Sequence, residues 1–170
     1  MDRQPTLEGT LVRVRPLEPE DFEPLYAIAS DPLLWDQHPA KERAERSGFE
    51  LWFEDATASG GALVVIDRRD DQIIGSSRYA GYDPERRQVE IGWTFLARSH
   101  WGGPYNAELK SLMLRHAFQF VDAVMIRVHS GNLRSQRAVE KLGARRVAIE
   151  PDVARGGENY VFRLEAPAGP

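Results

Sequence analysis

RSHWGGPYNAELKSLMLRHAFQF, residues 98–120, places two glycines in a short loop that runs directly into an amphipathic helix. A predicted strand, VEIGWTFLA (89–97), precedes this segment, and another, AVMIRVHS (123–130), follows it. A glycine-marked turn between a strand and a helix can bind phosphate, because the free backbone N–H groups and the positive end of the helix dipole point the same way. A second helix, NLRSQRAVEKLGA (132–144), begins immediately afterwards. This order of elements predicts an α/β unit built around a phosphate-binding turn.

Periodicity and turn signals extend this pattern over the whole chain. They predict helices over 18–30, 41–58, 104–121 and 132–144, and strands over 10–17, 62–68, 72–82, 87–97, 123–130, 145–150 and 158–165. The three strands between residues 62 and 97 are expected to form an antiparallel meander, and the last two strands are expected to pair. Hairpins mixed with crossover helices predict an α/β (α+β) fold, in which helices cover a mixed sheet.

Length and composition limit the class of protein. The chain has 170 residues, of which 42% are hydrophobic and 28% charged, so a single soluble domain over residues 1–170 with a frayed tail at 166–170 is expected. It contains no cysteine, which excludes a disulfide scaffold and a thiol nucleophile; no metal site is predicted, and a cytoplasmic location is expected. The sequence has no long basic block that would predict nucleic-acid binding and no apolar segment long enough to predict a membrane span. The net charge of −4 suits a cationic partner such as an amine.

The strand over 87–97 carries the clearest candidate for acid–base chemistry. Strict alternation places Glu90 on one face together with Gly92 and Thr94. The opposite face then carries Val89, Ile91, Trp93 and Phe95. If the apolar face packs against helices, Glu90 faces elsewhere and can meet a substrate. An ordinary solvated carboxylate is the open alternative.

Other candidate residues also have structural interpretations, which the residues alone favour for His116 and Ser135. His116 lies on the apolar stripe of the helix over 104–121 and is expected to be a hydrogen-bonded core histidine. Asn132 is well placed to cap the next helix, in whose first turn Ser135 lies. On the residues alone, Ser135 is an ordinary surface serine. Four aromatic residues form either an acceptor wall or a cover for the sheet: Trp35, Phe49, Trp52 and Phe53.

Two patterns, WGGPYNAELKSLMLRHAF and NLRSQRAVEKLGA, resemble the GNAT superfamily of N-acetyltransferases, especially its RimJ/RimL-like branch. The resemblance extends over nearly the whole chain, beginning at GTLVRVRPLEPEDFEPL and including VEIGWTFL. It implies one mostly antiparallel sheet of about seven strands, flanked by about four helices, with a splayed parallel pair in the middle. It also implies acetyl-CoA as cosubstrate, an amine as acceptor, and a monomer or homodimer.

The resemblance implies a role for each candidate residue. The pantetheine arm would lie where the strand near Ile91–Leu96 diverges from the strand over 123–130. Asn132 would contact this arm, Ser135 would protonate the departing thiolate, and Glu90 would be the general base. The remaining cofactor contacts would come from Trp93, Thr94, Phe95, Arg98, Trp101, Gly102, Gly103, Tyr105 and Asn106.

The phosphate loop departs from the family pattern Arg/Gln-x-x-Gly-x-Gly/Ala. Ser99 occupies its first position, and Pro104, which has no backbone N–H, occupies its last. The amide of Asn106 could replace the missing contact. Two alternatives stay open at this point. The acceptor is either a protein N-terminal amine or a small-molecule amine, and the chain is either an enzyme or a non-catalytic acyl-CoA-binding module of the same fold.

Overall fold

Eight strands form one sheet in the computed structural model, which describes residues 1–167. The last three residues, part of the tail expected to fray, lie outside this range. The strands are β1 (Leu7–Glu8), β2 (Val12–Pro16), β3 (Ala62–Asp67), β4 (Ile73–Asp83), β5 (Gln88–Leu96), β6 (Ala123–His129), β7 (Arg145–Pro151) and β8 (Glu158–Glu165). Their spatial order is β1-β2-β3-β4-β5-β6-β8-β7. All neighbours pair antiparallel except β5 and β6. The predicted mixed sheet, its meander and its final hairpin are confirmed, and the unpredicted eighth strand is the short β1.

Four α-helices cover the two faces of the sheet: α1 (Phe22–Ala29), α2 (Arg46–Ala58), α3 (Tyr105–Ala117) and α4 (Leu133–Lys141). One apolar cluster joins the sheet to α3 and α4, and a second joins it to α1 and α2. The aromatic residues Phe49, Trp52 and Phe53 belong to the second cluster, so they cover the sheet. None of the helices within residues 1–167 is long and apolar enough to cross a bilayer.

The helix predicted over 104–121 ends earlier than its apolar stripe suggests. α3 stops at Ala117, and Phe120 is 37% exposed because the chain turns there to enter β6. His116 has the expected hydrogen bond, but it is half-buried and not a core residue. Its Nε2 lies 2.7 Å from the backbone oxygen of Asp2, which ties α3 to the N-terminal segment.

The parallel pair is short, and this creates the cleft. β5 and β6 pair only at three positions, ending at Glu90 opposite Met125. Within the described chain, the edge of β5 beyond Glu90 that faces β6 has no strand partner. The predicted divergence of these strands is therefore present.

A bulge changes the face of β5 that each side chain occupies. Trp93 has φ 52°, and the register with β4 shifts between Ser76 and Arg78. An extra residue in a strand reverses the alternation that follows it. Ile91 therefore packs in the cluster with α3, whereas Phe95 packs in the cluster with α2. The predicted strict alternation is wrong beyond the bulge.

Glu108 fixes α3 to the start of the sheet. Its carboxylate accepts hydrogen bonds from three backbone N–H groups, those of Thr10 (3.0 Å), Leu11 (2.7 Å) and Val12 (2.8 Å). A Cβ added to Gly9 would lie 2.5 Å from the Glu108 carboxylate, so a larger residue at position 9 would displace this carboxylate from its hydrogen bonds. These bonds hold the helix that follows the glycine loop.

We expect Glu108→Gln to lower the free energy of unfolding by about 1–2 kcal/mol, because an amide has one acceptor oxygen for three N–H donors. The measurement is denaturant unfolding at constant pH. Glu140→Gln is the matched control, since Glu140 lies exposed on α4. Equal stability of the two variants would contradict this assignment to Glu108.

Candidate active site

Two adjoining cavities occupy the cleft between the diverging strands. The first, of about 180 Å³, reaches the glycine loop and is lined there by His100, Trp101 and Gly102. The second, of about 140 Å³, lies against the diverging edges of β5 and β6 and is lined there by Trp93 and Ile126. Their linings share Trp35, His38, Thr94, Asn106, Asn132, Ser135 and Ala138. A long ligand could therefore extend from the loop to the point where the strands separate.

Most of the predicted site residues meet at these cavities. Thr94, Asn106, Asn132 and Ser135 line both. Phe95, Trp101 and Gly102 line only the first, and Trp93 lines only the second. Four predicted residues line neither cavity: Glu90, Arg98, Gly103 and Tyr105.

The loop before α3 has the open backbone that a phosphate requires. Gly102 has φ 73°, and a Cβ built on Gly102 or Gly103 would meet no described atom within 4 Å. Pro104 is the residue that caps the N-terminal end of α3. The loop thus presents accessible backbone at a helix start, the arrangement that favours anions.

Asp67 holds this loop against the sheet. It is fully buried at the end of β3 and accepts hydrogen bonds from Arg69, from the ring of His100 (3.1 Å) and from the hydroxyl of Tyr105 (3.1 Å). The hydrogen bond from Arg69 holds the pKa of Asp67 well below its usual value, against the opposing effect of burial. Asp67 therefore stays ionised, and the Tyr105 side chain contacts it instead of the cavity.

Arg98 is likewise engaged outside the cavities. Its Nε lies 2.5 Å from an oxygen of Asp31, so it joins the loop to the segment that follows α1. A direct contact between Arg98 and a cofactor stays a prediction. The indole of Trp101 donates to the backbone oxygen of Leu96 (2.9 Å) and lies 3.7 Å from the Arg134 guanidinium carbon.

Glu90 lies at the last position of β5 that pairs with β6, next to Ile91, which lines the second cavity. Its carboxylate contacts Arg127 at 2.5 Å, and the Glu90 side chain is 16% exposed. Burial raises the pKa of Glu90, while the positive charge of Arg127 opposes this rise. Arg127 also pairs with Glu150 at 2.9 Å and itself lines the second cavity. Glu90 is a half-buried carboxylate with a raised pKa, and its partner Arg127 lines the second cavity.

The start of α4 has the predicted geometry. The side-chain oxygen of Asn132 accepts a hydrogen bond from the Ser135 backbone N–H at 3.2 Å, which is a helix cap. Gly143 has φ 87° just beyond the end of the helix. Asn132 is 4% exposed and lines both cavities, so the cap holds Ser135 at the cleft.

Lys110 is a cleft residue that the sequence patterns did not reveal. It is 6% exposed, and its Nζ donates a 2.6 Å hydrogen bond to the hydroxyl of Thr94, which is itself 2.7 Å from the Ser77 hydroxyl. Burial lowers the pKa of Lys110 to about 7. One signal could have found it: Asn106 and Lys110 are four residues apart on one helix, so they share a face.

The cleft is cationic although the chain is acidic. No aspartate or glutamate among residues 1–167 lines either cavity, whereas Arg43, Lys110 and Arg127 line the second. Burial, and then the charges of Arg43 and other cations, lower the pKa of His38 to about 3, so this ring is neutral. The net negative charge of the chain therefore does not describe the place where a substrate would bind.

The comparisons with known proteins agree with this geometry. A family model described as an acetyltransferase (GNAT) domain matches residues 12–145. A GCN5-related N-acetyltransferase from Brucella melitensis superposes with a TM-score of 0.83 at 23% identity, over 95% of this chain and 79% of that one.

Two further solved structures, both from Vibrio cholerae, are similar at 15% identity. One is a proposed ribosomal-protein-serine acetyltransferase, with a TM-score of 0.75 over 98% of this chain and 100% of that one. The other is a spermidine N-acetyltransferase in complex with CoA and spermine, with a TM-score of 0.71 over 92% of this chain and 96% of that one. A search of curated proteins finds no significant match.

Proposed function

Because the chain belongs to the acetyltransferase (GNAT) domain family, we propose that it transfers the acetyl group of acetyl-CoA to a primary amine by direct attack. The observation that carries this proposal is the cleft where β5 leaves β6 after Glu90 and continues to the open glycine loop. The loop can take an anion, and the unpartnered strand edge can take an extended amide-bearing arm.

The residues at the cleft fit acetyl-CoA. Trp93, Thr94 and Phe95 lie on the strand edge that would pair with the pantetheine amides, and Asn106 and Asn132 add side-chain amides. Trp101, Gly102 and Gly103 would surround the pyrophosphate, while Arg98 and Tyr105 hold the same loop in place. When bound, acetyl-CoA supplies an activated acyl carbon as a thioester.

Glu90 and Ser135 would move the protons. An ammonium is not nucleophilic, so Glu90 would first take a proton from the acceptor, directly or through water. A backbone N–H near Trp93–Thr94 would stabilise the oxyanion that attack creates. Ser135 would then donate a proton to the departing thiolate, and the second proton of the attacking nitrogen would restore the serine hydroxyl, directly or through water. No covalent enzyme intermediate is needed.

The acceptor is an amine of one of two classes. The RimJ/RimL-like resemblance and the Vibrio cholerae relative proposed to act on a ribosomal protein favour a protein N-terminal amine. The spermidine N-acetyltransferase favours a small-molecule amine. Release of CoA, measured with panels of peptides and small amines and confirmed by the acceptor gaining one acetyl group in mass, tests the function. Tight binding of acetyl-CoA without turnover on either panel would instead identify a non-catalytic acyl-CoA-binding module.

We expect Ser135→Ala to lower kcat by about 10-fold or more, because the thiolate would leave without its proton donor. The dissociation constant of acetyl-CoA should change little. Ser130→Ala, at the turn after β6, is the matched control. The discriminating measurement replaces the CoA thioester with one whose thiol is more acidic: such a donor should reduce the difference between Ser135→Ala and the unchanged enzyme. An equal deficit with both donors would contradict the role of Ser135.

A further inference from the structure

We propose that the acceptor carries a carboxylate close to its amine and that Arg43 binds this carboxylate. This inference rests on the proposed transferase function and names the class of its second substrate. It is carried by one guanidinium that lines the second cavity and has no carboxylate partner among the described residues.

Arg43 is only 8% exposed and lines the second cavity. Its guanidinium lies over the ring of Trp35, with 5.5 Å between its carbon and the ring centroid. Within residues 1–167 the guanidinium makes no hydrogen bond and has no carboxylate within 4.0 Å. Burial lowers the pKa of Arg43 to about 10, so the group keeps its charge at neutral pH. A buried cation without an anion is costly, and an arginine fork matches a carboxylate in shape.

Two neighbouring arginines, unlike Arg43, have carboxylate partners. Arg127 is occupied by Glu90 and Glu150, and Arg155 pairs with Glu42 at 3.2 Å. These carboxylates are therefore already engaged by other cations. A ligand anion in the second cavity would supply the partner that Arg43 lacks.

The cofactor phosphates are not the natural partners of Arg43. The glycine loop lines the first cavity, whereas Arg43 lines only the second. With the pyrophosphate at the loop, the second cavity holds the reacting end of the cofactor and the acceptor. Arg43 therefore contacts the acceptor side.

The charge of the second cavity supports the same class of acceptor. Its lining has three basic side chains, of which Arg127 is paired with Glu90 and Glu150 and Lys110 has a pKa of about 7, so Arg43 contributes the main uncompensated charge. Such surroundings disfavour an ammonium and favour the neutral amine, which is the nucleophile. They also repel a polyamine, which has several positive charges and no anion. In an acceptor that has both groups, the carboxylate is attracted by Arg43, and the amino group is favoured in its neutral form.

The test compares matched acceptors that differ only in the anionic group: β-alanine with β-alaninamide, and 4-aminobutyrate with butylamine. Spermidine and 2-aminoethylphosphonate complete the panel. We expect kcat/KM to be about 10- to 100-fold higher for each carboxylate than for its neutral partner, the range that a charge-assisted pair supplies. In Arg43→Met this ratio should fall to near one, and Arg43→Lys should restore part of it. The dissociation constant of acetyl-CoA should stay the same in both variants.

Arg46→Met is the matched control, because Arg46 also lies over aromatic rings, those of Phe22 and Tyr26, but lines neither cavity. It should keep the preference for carboxylates. Equal rates for acids and amides, a preference for spermidine, or weaker acetyl-CoA binding in Arg43→Met would overturn this inference and leave the transferase function intact. A higher rate with 2-aminoethylphosphonate than with β-alanine would overturn the carboxylate and indicate that the acceptor carries a phosphonate-type anion instead. Binding of acetyl-CoA without acetylation of any peptide or amine would overturn the proposed function itself.

Discussion

Glu90→Gln should lower kcat/KM for acetyl transfer by about 10²–10⁴-fold near neutral pH, the range that a general base contributes. The loss should shrink as the pH rises, because a growing share of the free amine is then already deprotonated and needs no base. Burial raises the pKa of Glu90, so the rate of the unchanged enzyme should fall as the pH drops through a value above that of an ordinary glutamate. The variant should lack this dependence. The measurement is the pH profile of kcat/KM.

The ion pair with Arg127 requires a control, since Glu90→Gln also removes a partner of that arginine. Glu150→Gln removes the other carboxylate partner of Arg127 and leaves Glu90 in place. It should keep the acidic limb of the pH profile, moved to lower pH because the charge of Glu150 helps to raise the pKa of Glu90. If both variants lose the acidic limb of the profile, the charge of Arg127 is what matters, and Glu90 is not the base. If neither loses it, another group accepts the proton.

The fold could be predicted because most of its helices and strands have a local sequence signal, either hydrophobic periodicity or turn residues. Apolar residues at helical spacing marked α3, and turn pairs such as Asp70-Asp71 marked the hairpin of β3 and β4. The short strand β1 was missed because two residues carry no periodicity. The bulge at Trp93 was missed for a different reason. A positive φ at a tryptophan has no composition signal, and the pairing with β4 alone shows where the extra residue lies.

The site residues were predicted from sequence motifs. A motif locates a loop or a helix cap more reliably than it predicts which way each side chain points. Asn106, Asn132 and Ser135 reach the cleft, but Arg98 and Tyr105 turn to Asp31 and Asp67. Hydrophobic periodicity also gave no indication that two cationic side chains are buried. Lys110 and Arg43 look like ordinary surface residues in a charged sequence, and only the assembled sheet buries them. Their proposed roles depend on burial and on the lack of a nearby carboxylate, and neither can be read from the spacing of residues in the sequence.

Burial of Lys110 should be visible in the pH dependence of stability. In the unfolded chain its pKa is near 10.4, whereas burial lowers it to about 7 in the folded protein. Between these values the unfolded state binds more protons, so stability rises with pH; below pH 7 the full cost of the buried charge is present. Replacing Lys110 by methionine removes this cost. We expect the rise in the free energy of unfolding from pH 6 to pH 9 to be smaller by roughly 2–3 kcal/mol in Lys110→Met.

Denaturant unfolding at several pH values measures this effect, and Lys141→Met is the matched control because Lys141 is exposed at the end of α4. The control should keep the slope of the unchanged protein, because the Lys141 side chain stays exposed to solvent in the folded protein. Acetyl-CoA should sharpen the contrast. If the bound cofactor offers a carbonyl oxygen to Lys110, the protonated form gains a hydrogen bond that only Thr94 now provides. The stabilisation by acetyl-CoA should then be larger at pH 6 than at pH 9 in the unchanged protein and equal at the two pH values in Lys110→Met. Parallel stability profiles for Lys110→Met and the unchanged protein would show instead that water reaches the Lys110 amine and that its charge is already solvated in the cleft.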